Sequence, residues 1–333
     1  MTEPEGVPIL SLTHVSKTFF SGRRSRIDAV RDVTFHLYPH EIVCLVGESG
    51  SGKSTTAHLI MAMETSTSGT IRYQGQDVAR LRGRSAHRQY RRAVQMIFQD
   101  PYASLNPVHT AGYTIGRPME IHHSIASASQ RNKAVLRLLR QVDLTPPAEF
   151  YYKLPYQLSG GQRQRVAIAR ALAVQPALII ADEPVSMLDV SLRAGILQLI
   201  LQARDEAGVT FLYITHDLAS ARYIGDRILV MYRGIICEEG MADAVINGPQ
   251  HPYTKALIEA VPNPEHLEDG GTVDDTVIPS HPSAPASPGC PYYALCPVSV
   301  AECQQNLPDW TELSGKHRVR CFHVADARHG VKT

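Results

Sequence analysis

The chain has 333 residues, of which 44% are hydrophobic and 20% charged, and 33 basic against 32 acidic side chains leave a formal charge of +1. That length predicts about two domains with room for real cores, and the balanced charge argues against a nucleic-acid or acidic partner recognised by bulk electrostatics. No run approaches the ~18 uninterrupted apolar residues of a membrane span, and Met1–Pro8 lacks a basic-then-apolar leader pattern. The chain is therefore expected to be neither secreted nor membrane-spanning by itself.

Leu10–Thr18 and Ala29–Leu37 read as strands, separated by a polar loop, Ser21–Arg26, with Phe19 and Phe20 at the loop's start. An aromatic there either stacks on an adenine base or caps the core from a strand end. Ile42–Val46 is a short apolar run suited to a fully buried strand. It leads into Gly47-Glu48-Ser49-Gly50-Ser51-Gly52-Lys53-Ser54-Thr55, which fits G-x-x-x-x-G-K-[ST], and Thr55–Met63 can then wind as a helix. The glycines let the backbone curl around a phosphate with its N–H groups inward, and the helix dipole adds partial positive charge. Lys53 reaches toward β- and γ-phosphates in such a loop, and the Ser54 hydroxyl toward Mg²⁺.

Ser66–Gly69 reads as a turn and Thr70–Tyr73 as a short strand. Arg80, Arg82, Arg84, Arg88, Arg91 and Arg92 crowd one stretch without interleaved aromatics, which favours a solvated helical face over a nucleic-acid patch. Ala93–Phe98 is a further buried-strand candidate ending at Gln99-Asp100-Pro101, and α/β proteins place ligand-facing polar groups at such C-terminal strand ends. Residues 101–154 read as a mostly helical insertion, with turn residues at Asn106-Pro107 and Gly112–Pro118 and a helix over Gln130–Val142. In Leu158-Ser159-Gly160-Gly161-Gln162, Ser159 fits a helix N-cap, and the two glycines expose backbone N–H groups as a second anion site.

Ala177–Ala181 is a buried strand ending in Asp182-Glu183-Pro184, an acid pair suited to metal and water handling beside a phosphate. After Ser186–Asp189 a helix to about Ala207 precedes strand Thr210–Ile214 and Thr215-His216-Asp217, where His216 is read as a phosphate sensor. Two short strands flank Arg233-Gly234. His251-Pro252-Tyr253-Thr254 opens a helix to Ala260, and 261–288 reads as a linker rich in Pro, Asp, Gly and Ser. No internal repeat is seen.

From residue 8 to 260 the chain resembles the ATP-binding-cassette superfamily, on the ordered set of the phosphate loop, Gln99, Leu158–Gln162, Asp182-Glu183 and His216. Gln95–Pro107 (QMIFQDPYASLNP), Ala181–Ser191 (ADEPVSMLDVS) and His251-Pro252-Tyr253 look like ATPase subunits of oligopeptide, dipeptide and nickel importers. The resemblance implies an α/β P-loop NTPase fold: a mostly parallel core sheet, an antiparallel β subdomain and an inserted helical subdomain at about 101–165. Together these make an ATPase domain over 1–248, with a cysteine-bearing C-terminal extension over 249–333.

It further implies that Phe19 stacks on adenine and that Gly47–Thr55 bind ATP. Ser54, Gln99 and Asp182 are implied to hold Mg²⁺, and Gln99 also to meet the attacking water. Glu183 is implied as the general base and His216 as a γ-phosphate contact. Ser159, Gly160, Gly161 and Gln162 are implied to bind the ATP of a second ATPase subunit, with Asp189 across the same interface. Met187 stands where Ala is usual, a packing-sized departure. The implied partner is a related ATPase in a heterodimer, a homodimer being the alternative. Two membrane permease subunits and, through them, an extracellular solute-binding protein complete the expected assembly, so the chain sits peripherally on the cytoplasmic face of a bacterial membrane. Peptide is the implied cargo, nickel its competitor. Two rivals are a soluble ATPase of nucleic-acid repair or translation and a poorly hydrolysing partner subunit. A single cassette without a heptad run argues against the first, and intact Glu183, Ser159 and His216 against the second.

Cys44 and Cys237 lie in apolar runs and read as small core residues. The other four cysteines are spaced Cys290-x5-Cys296-x6-Cys303-x17-Cys321. Structural zinc favours pairs two to four residues apart, which this spacing lacks; wider, uneven gaps with Pro after the first two cysteines fit a [4Fe–4S] cluster better, although no ferredoxin spacing is matched, with zinc the runner-up and unligated or disulfide-forming thiols the remaining alternative. Related importer ATPases carry such a cluster in this extension, so the resemblance implies it too.

Overall fold

The computed structural model describes residues 6–21, 25–122, 125, 127–260, 288–313 and 316–324. The expected linker therefore lies almost wholly outside the described residues. The chain opens with β1 (Leu10–Ser21), β2 (Ser25–Leu37), β3 (Ile42–Val46), α1 (Lys53–Ile60), β4 (Ser68–Tyr73) and β5 (Gln76–Asp77). There follow α2 (Gly83–Ala93), β6 (Val94–Ile97), α3 (Pro101–Ser104), α4 (Ala111–Ile121), α5 (Ala128–Gln141) and α6 (Pro147–Tyr152). The second half runs α7 (Gly160–Leu172), β7 (Leu178–Asp182), α8 (Val190–Ala207), β8 (Thr210–Thr215), α9 (Leu218–Ile224), β9 (Arg227–Tyr232) and β10 (Ile235–Met241). It closes with α10 (Ala242–Asn247), α11 (Pro252–Glu259), α12 (Ala301–Gln305), β11 (Thr311–Glu312) and β12 (Arg318–Val319).

The main sheet has the order β11-β12-β10-β9-β3-β8-β7-β6. Strands β6, β7, β8, β3 and β9 run parallel, and β10, β12 and β11 continue the sheet antiparallel. Every residue of β3, β7 and β8 is buried, as expected for parallel strands covered on both faces. The pleat divides β3 between two cores: Ile42, Cys44 and Val46 face the cluster built with α4, α5, α7 and α8, while Val43 and Leu45 face the one built with α1, β1 and β2. A separate antiparallel sheet, β2-β1-β4-β5, packs on that second face. Cys44 and Cys237 are fully buried in the first core, in line with their sequence reading.

Three expectations need correction. The first hairpin does not open into a loop at Phe19: β1 and β2 stay paired through Phe19↔Ile27 and Phe20↔Arg26 to Ser21↔Ser25. Gly112–Pro118 is helix α4 and not a turn, capped by Thr110, whose hydroxyl accepts from the Tyr113 N–H. Its glycines serve helix packing, because a Cβ on Gly112 would stand 2.7 Å from the Tyr151 ring and one on Gly116 3.4 Å from Val135. The helix after the phosphate loop begins at Lys53 and ends at Ile60, earlier at both ends than expected. All six arginines from 80 to 92 are exposed, and only Tyr90 of α2 is buried, so this face is solvated as the sequence reading has it. Among the described residues no helix is long and apolar enough to cross a membrane.

Candidate active site

Because β3, β6, β7 and β8 are parallel, their C-terminal ends open on one edge of the sheet, and each delivers a candidate residue there. β3 leads into Gly47, β6 into Gln99, β7 ends in Asp182 with Glu183 next, and β8 leads into His216. Sequence neighbours far apart in the chain therefore meet at one place.

The phosphate loop is held by contacts that exclude side chains. Gly47 has φ 155°, and a Cβ on it would fall 2.1 Å from the Met231 carbonyl oxygen. Gly52 has φ 109°, and a Cβ there would fall 2.3 Å from the Ala29 carbonyl oxygen. The Ser51 carbonyl accepts from the Gly234 N–H at 2.8 Å, which ties the loop to the β9–β10 turn. Lys53 is 4% exposed, and its ammonium donates to the Gly47 and Glu48 carbonyls at 2.7 and 2.8 Å. Burial pushes its pKa below the usual lysine value, while Glu183, Asp182 and Glu48 pull it back.

Asp182 is buried, and burial raises its carboxyl above the ordinary range against an opposing hydrogen bond from Ser54. Its Oδ1 is buried with no hydrogen-bond partner. A buried, orphaned carboxylate oxygen beside a serine hydroxyl suits a hard divalent cation, so the donor set fits Mg²⁺. Glu183 has φ 46°, a conformation costly for a residue with a Cβ. It is held by its N–H donating to the Ile214 carbonyl at 2.9 Å and its carbonyl accepting from the Ser186 hydroxyl at 3.0 Å. That backbone places the carboxylate between two candidates: Gln99 Nε2 donates to Oε2 at 3.1 Å, and His216 Nδ1 lies 3.2 Å from Oε1. The arrangement gives a strong acceptor aligned by an amide and an imidazole, next to a buried ammonium.

The second anion-site candidate stands apart. Ser159 caps α7 in a reciprocal box: its hydroxyl accepts from the Gln162 N–H at 3.3 Å, and Gln162 Oε1 accepts from the Ser159 N–H at 3.0 Å. Asp189 is exposed at the start of α8. Among the described residues no hydrogen bond joins 159–162 or 189 to the phosphate loop or to Glu183. Phe19 is 37% exposed beneath the Lys17 ammonium, 4.7 Å from the ring centroid, and Phe20 is 75% exposed, so neither caps the core.

Sequence reasoning took Tyr253 only as part of a family motif. The structure puts it, fully buried, against the phosphate loop, where its hydroxyl accepts from the Glu48 N–H at 3.1 Å. A buried tyrosine hydroxyl needs a partner, and that need was the available signal.

Cys290, Cys296, Cys303 and Cys321 line one small cavity together with His251 and His323. All four are free thiols, and burial lifts Cys290 to about 11 and raises Cys296 and Cys321. The thiols gather, yet among the described residues no three His, Cys, Asp or Glu side chains are placed to hold a metal ion. The expected cluster thus has a suitable donor set without an assembled ligand cage.

Fold and site together define an ATP-binding cassette ATPase. The family model described as ABC transporter matches residues 30–186, and the one described as the oligopeptide/dipeptide transporter C-terminal region matches 237–303. The chain is 44% identical over 302 residues to a protein of Sinorhizobium fredii named as a probable peptide ABC transporter ATP-binding protein, covering 90% of this chain and 84% of that one. It is 40% identical over 311 residues to the oligopeptide transport ATP-binding protein OppF of Salmonella typhimurium, covering 92% and 91%. The dimeric post-hydrolysis structure of the ATP-binding cassette MJ0796 with ADP and Pi is similar at TM-score 0.64 and 33% identity, over 70% of this chain and 98% of that one. The chain belongs to the ABC transporter family, as an ATPase subunit of its oligopeptide/dipeptide branch.

Substituting Gly52 by Ala forces a Cβ into the Ala29 carbonyl at a φ that costs about 1–3 kcal/mol for a residue with a Cβ. Nucleotide titration of Gly52→Ala is expected to show affinity reduced about tenfold or more, with the remainder of the fold retained by circular dichroism.

Proposed function

We propose that this ATPase drives peptide uptake through separate membrane subunits. Its relatives' names and its C-terminal region support a peptide cargo, with nickel as the alternative. The observation that carries the chemistry is the Glu183 carboxylate bracketed by Gln99 at 3.1 Å and His216 at 3.2 Å, beside buried Lys53 and Asp182. Glu183 polarises the attacking water as general base, Gln99 orients that water, and His216 contacts the γ-phosphate. Lys53 and the loop N–H groups from Gly47 to Thr55 hold the β- and γ-phosphates, and Phe19 stacks on the adenine. Ser54, Gln99 and Asp182 hold Mg²⁺, which neutralises charge on the phosphate oxygens.

One chain carries one phosphate loop and one Ser159–Gln162 segment, and the two stand apart. Two ATPase chains therefore sandwich two nucleotides head to tail, with Ser159, Gly160, Gly161, Gln162 and Asp189 serving the partner's ATP. A related second ATPase is the preferred partner, a second copy the alternative. The dimer sits on two permease subunits at the cytoplasmic face of the membrane, and the solute-binding protein meets it only through them. The cassette occupies 1–248, with its helical subdomain at about 101–165, and the extension 249–333. The four cysteines of 290–321 are read as ligands of a [4Fe–4S] cluster, zinc being the alternative; four thiols lining one cavity support the reading, and the want of an assembled ligand cage among the described residues counts against it.

Glu183→Gln should bind ATP as the unaltered protein does while turnover falls ~10²–10⁴-fold, the usual contribution of a positioned general base. Near-normal hydrolysis would remove Glu183 from that role. Affinity capture from detergent-solubilised membranes should recover two multi-span proteins and a second cassette ATPase; soluble partners alone would overturn the transport reading. Anaerobically purified protein should be brown with stoichiometric iron, whereas a colourless preparation with stoichiometric zinc would exclude the cluster.

A further inference from the structure

We propose that Tyr253 is a positioning residue for the phosphate loop, and that through Tyr253 and Tyr292 the cysteine segment and nucleotide occupancy are coupled. The inference rests on the phosphate loop's being the nucleotide site.

The hydroxyl of Tyr253 accepts from the Glu48 N–H at 3.1 Å, at the second residue of the loop and one step from Gly47. The side chain of Glu48 is drawn the same way. Its Oε1 is buried with no hydrogen-bond partner, its carboxyl is raised by burial, and its charge acts on Tyr253, Tyr232 and Tyr292. Burial also raises the Tyr253 phenol, so the hydroxyl stays neutral and keeps a proton to give.

Tyr253 has no freedom to drift. Its N–H donates to His251 Nδ1 at 3.1 Å, and the His251 N–H donates to Glu238 Oε2 at 2.8 Å. Glu238 is wholly buried and also accepts from the Gln250 N–H at 2.8 Å and from His317 Nε2 at 2.7 Å. The first turn of α11 is thus pinned to β10 and to the residues just before β12.

On its other side Tyr253 belongs to a closed triangle of rings. The centroid distances are 4.4 Å to Tyr232, 5.5 Å to Tyr292, and 5.3 Å between Tyr232 and Tyr292. Tyr292 is part of the cysteine segment, where the Tyr293 N–H donates to the Cys290 carbonyl and the Cys290 N–H to the Cys303 carbonyl at 2.8 Å. Tyr232 ends β9, two residues before Gly234, whose N–H holds the Ser51 carbonyl. The loop is therefore gripped at Glu48 by Tyr253 and at Ser51 by Gly234, two residues from Tyr232, and both tyrosine rings pack on Tyr292, two residues from Cys290. Close-packed interiors transmit displacement, so a change on either side of this cluster is felt on the other, and the coupling is reciprocal.

Tyr253→Phe keeps the ring and removes only the hydroxyl. Titration of the full chain with Mg-ADP is expected to show affinity weakened about fivefold to tenfold, with the unfolding midpoint within about 3 °C of the unaltered protein. Hydrogen exchange supplies a readout that packing alone does not move. Mg-ADP should slow exchange in peptides spanning 289–305 of the unaltered protein, and that slowing should be clearly smaller in Tyr253→Phe. Unaltered Mg-ADP affinity in Tyr253→Phe would overturn the positioning role, and exchange at 289–305 indifferent to Mg-ADP in the unaltered protein would overturn the coupling. Mg-ADP binding by the unaltered chain is the separate check on the nucleotide site itself.

Discussion

The close approach of the phosphate loop to two other backbones is the constraint on which the rest of the structure depends. The carbonyl of Met231 on β9 and that of Ala29 on β2 stand where side chains of Gly47 and Gly52 would be. The loop is thereby clamped between the main sheet and the antiparallel one. Those contacts limit how its backbone can fold inward and help to orient its N–H groups. Preorganisation of this kind is what makes dipoles effective toward a charged ligand, because no reorganisation is needed at the moment of binding.

The charges around the loop follow from the same confinement. Lys53 is buried among Asp182, Glu183 and Glu48, and burial alone would disfavour its charge. The acids oppose that effect in part, while burial raises the carboxyls of Asp182 and Glu48 in turn. Asp182 Oδ1, like Glu48 Oε1, is buried without a donor, and Asp182 is the one of the two that lies beside the Ser54 hydroxyl. A buried carboxylate oxygen left unpaired costs about 1–3 kcal/mol or more. Such an arrangement persists where a further positive charge is to be accommodated, and the strained backbone at Glu183 points the same way.

Much of this was legible before any coordinates. The apolar runs at 42–46, 177–181 and 210–214 have the length and continuity of buried strands, and parallel strands put their ends on one edge. The Ser159 cap follows from its residue type, and the structure adds the reciprocal bond from Gln162. What escaped the sequence has physical causes. Gly112 and Gly116 carry the composition of a turn, but their lack of Cβ serves contact with Tyr151 and Val135, which only tertiary structure reveals. Phe19 and Phe20 look like a strand end, yet cross-strand pairing prolongs the hairpin past them. Strands β11 and β12 have two residues each, too few for any periodicity. Tyr253 shows no charge or motif chemistry of its own, so its contact with Glu48 emerges only when the two ends of the chain meet.

That meeting also changes how the C-terminal extension is understood. β12 pairs with β10, which is itself paired with β9, so the extension continues the sheet that carries the phosphate loop and covers what would be an open edge. Arg318 donates across this seam to the buried Glu239 at 3.0 Å through Nε, and Arg320 reaches the more exposed Asp32 of β2 at 3.0 Å. An appendage hung on a cassette would leave the nucleotide site indifferent to its presence. Here the described C-terminal residues add β12 to the sheet that carries the phosphate loop, and Tyr292 packs on Tyr253, whose hydroxyl meets the loop at Glu48.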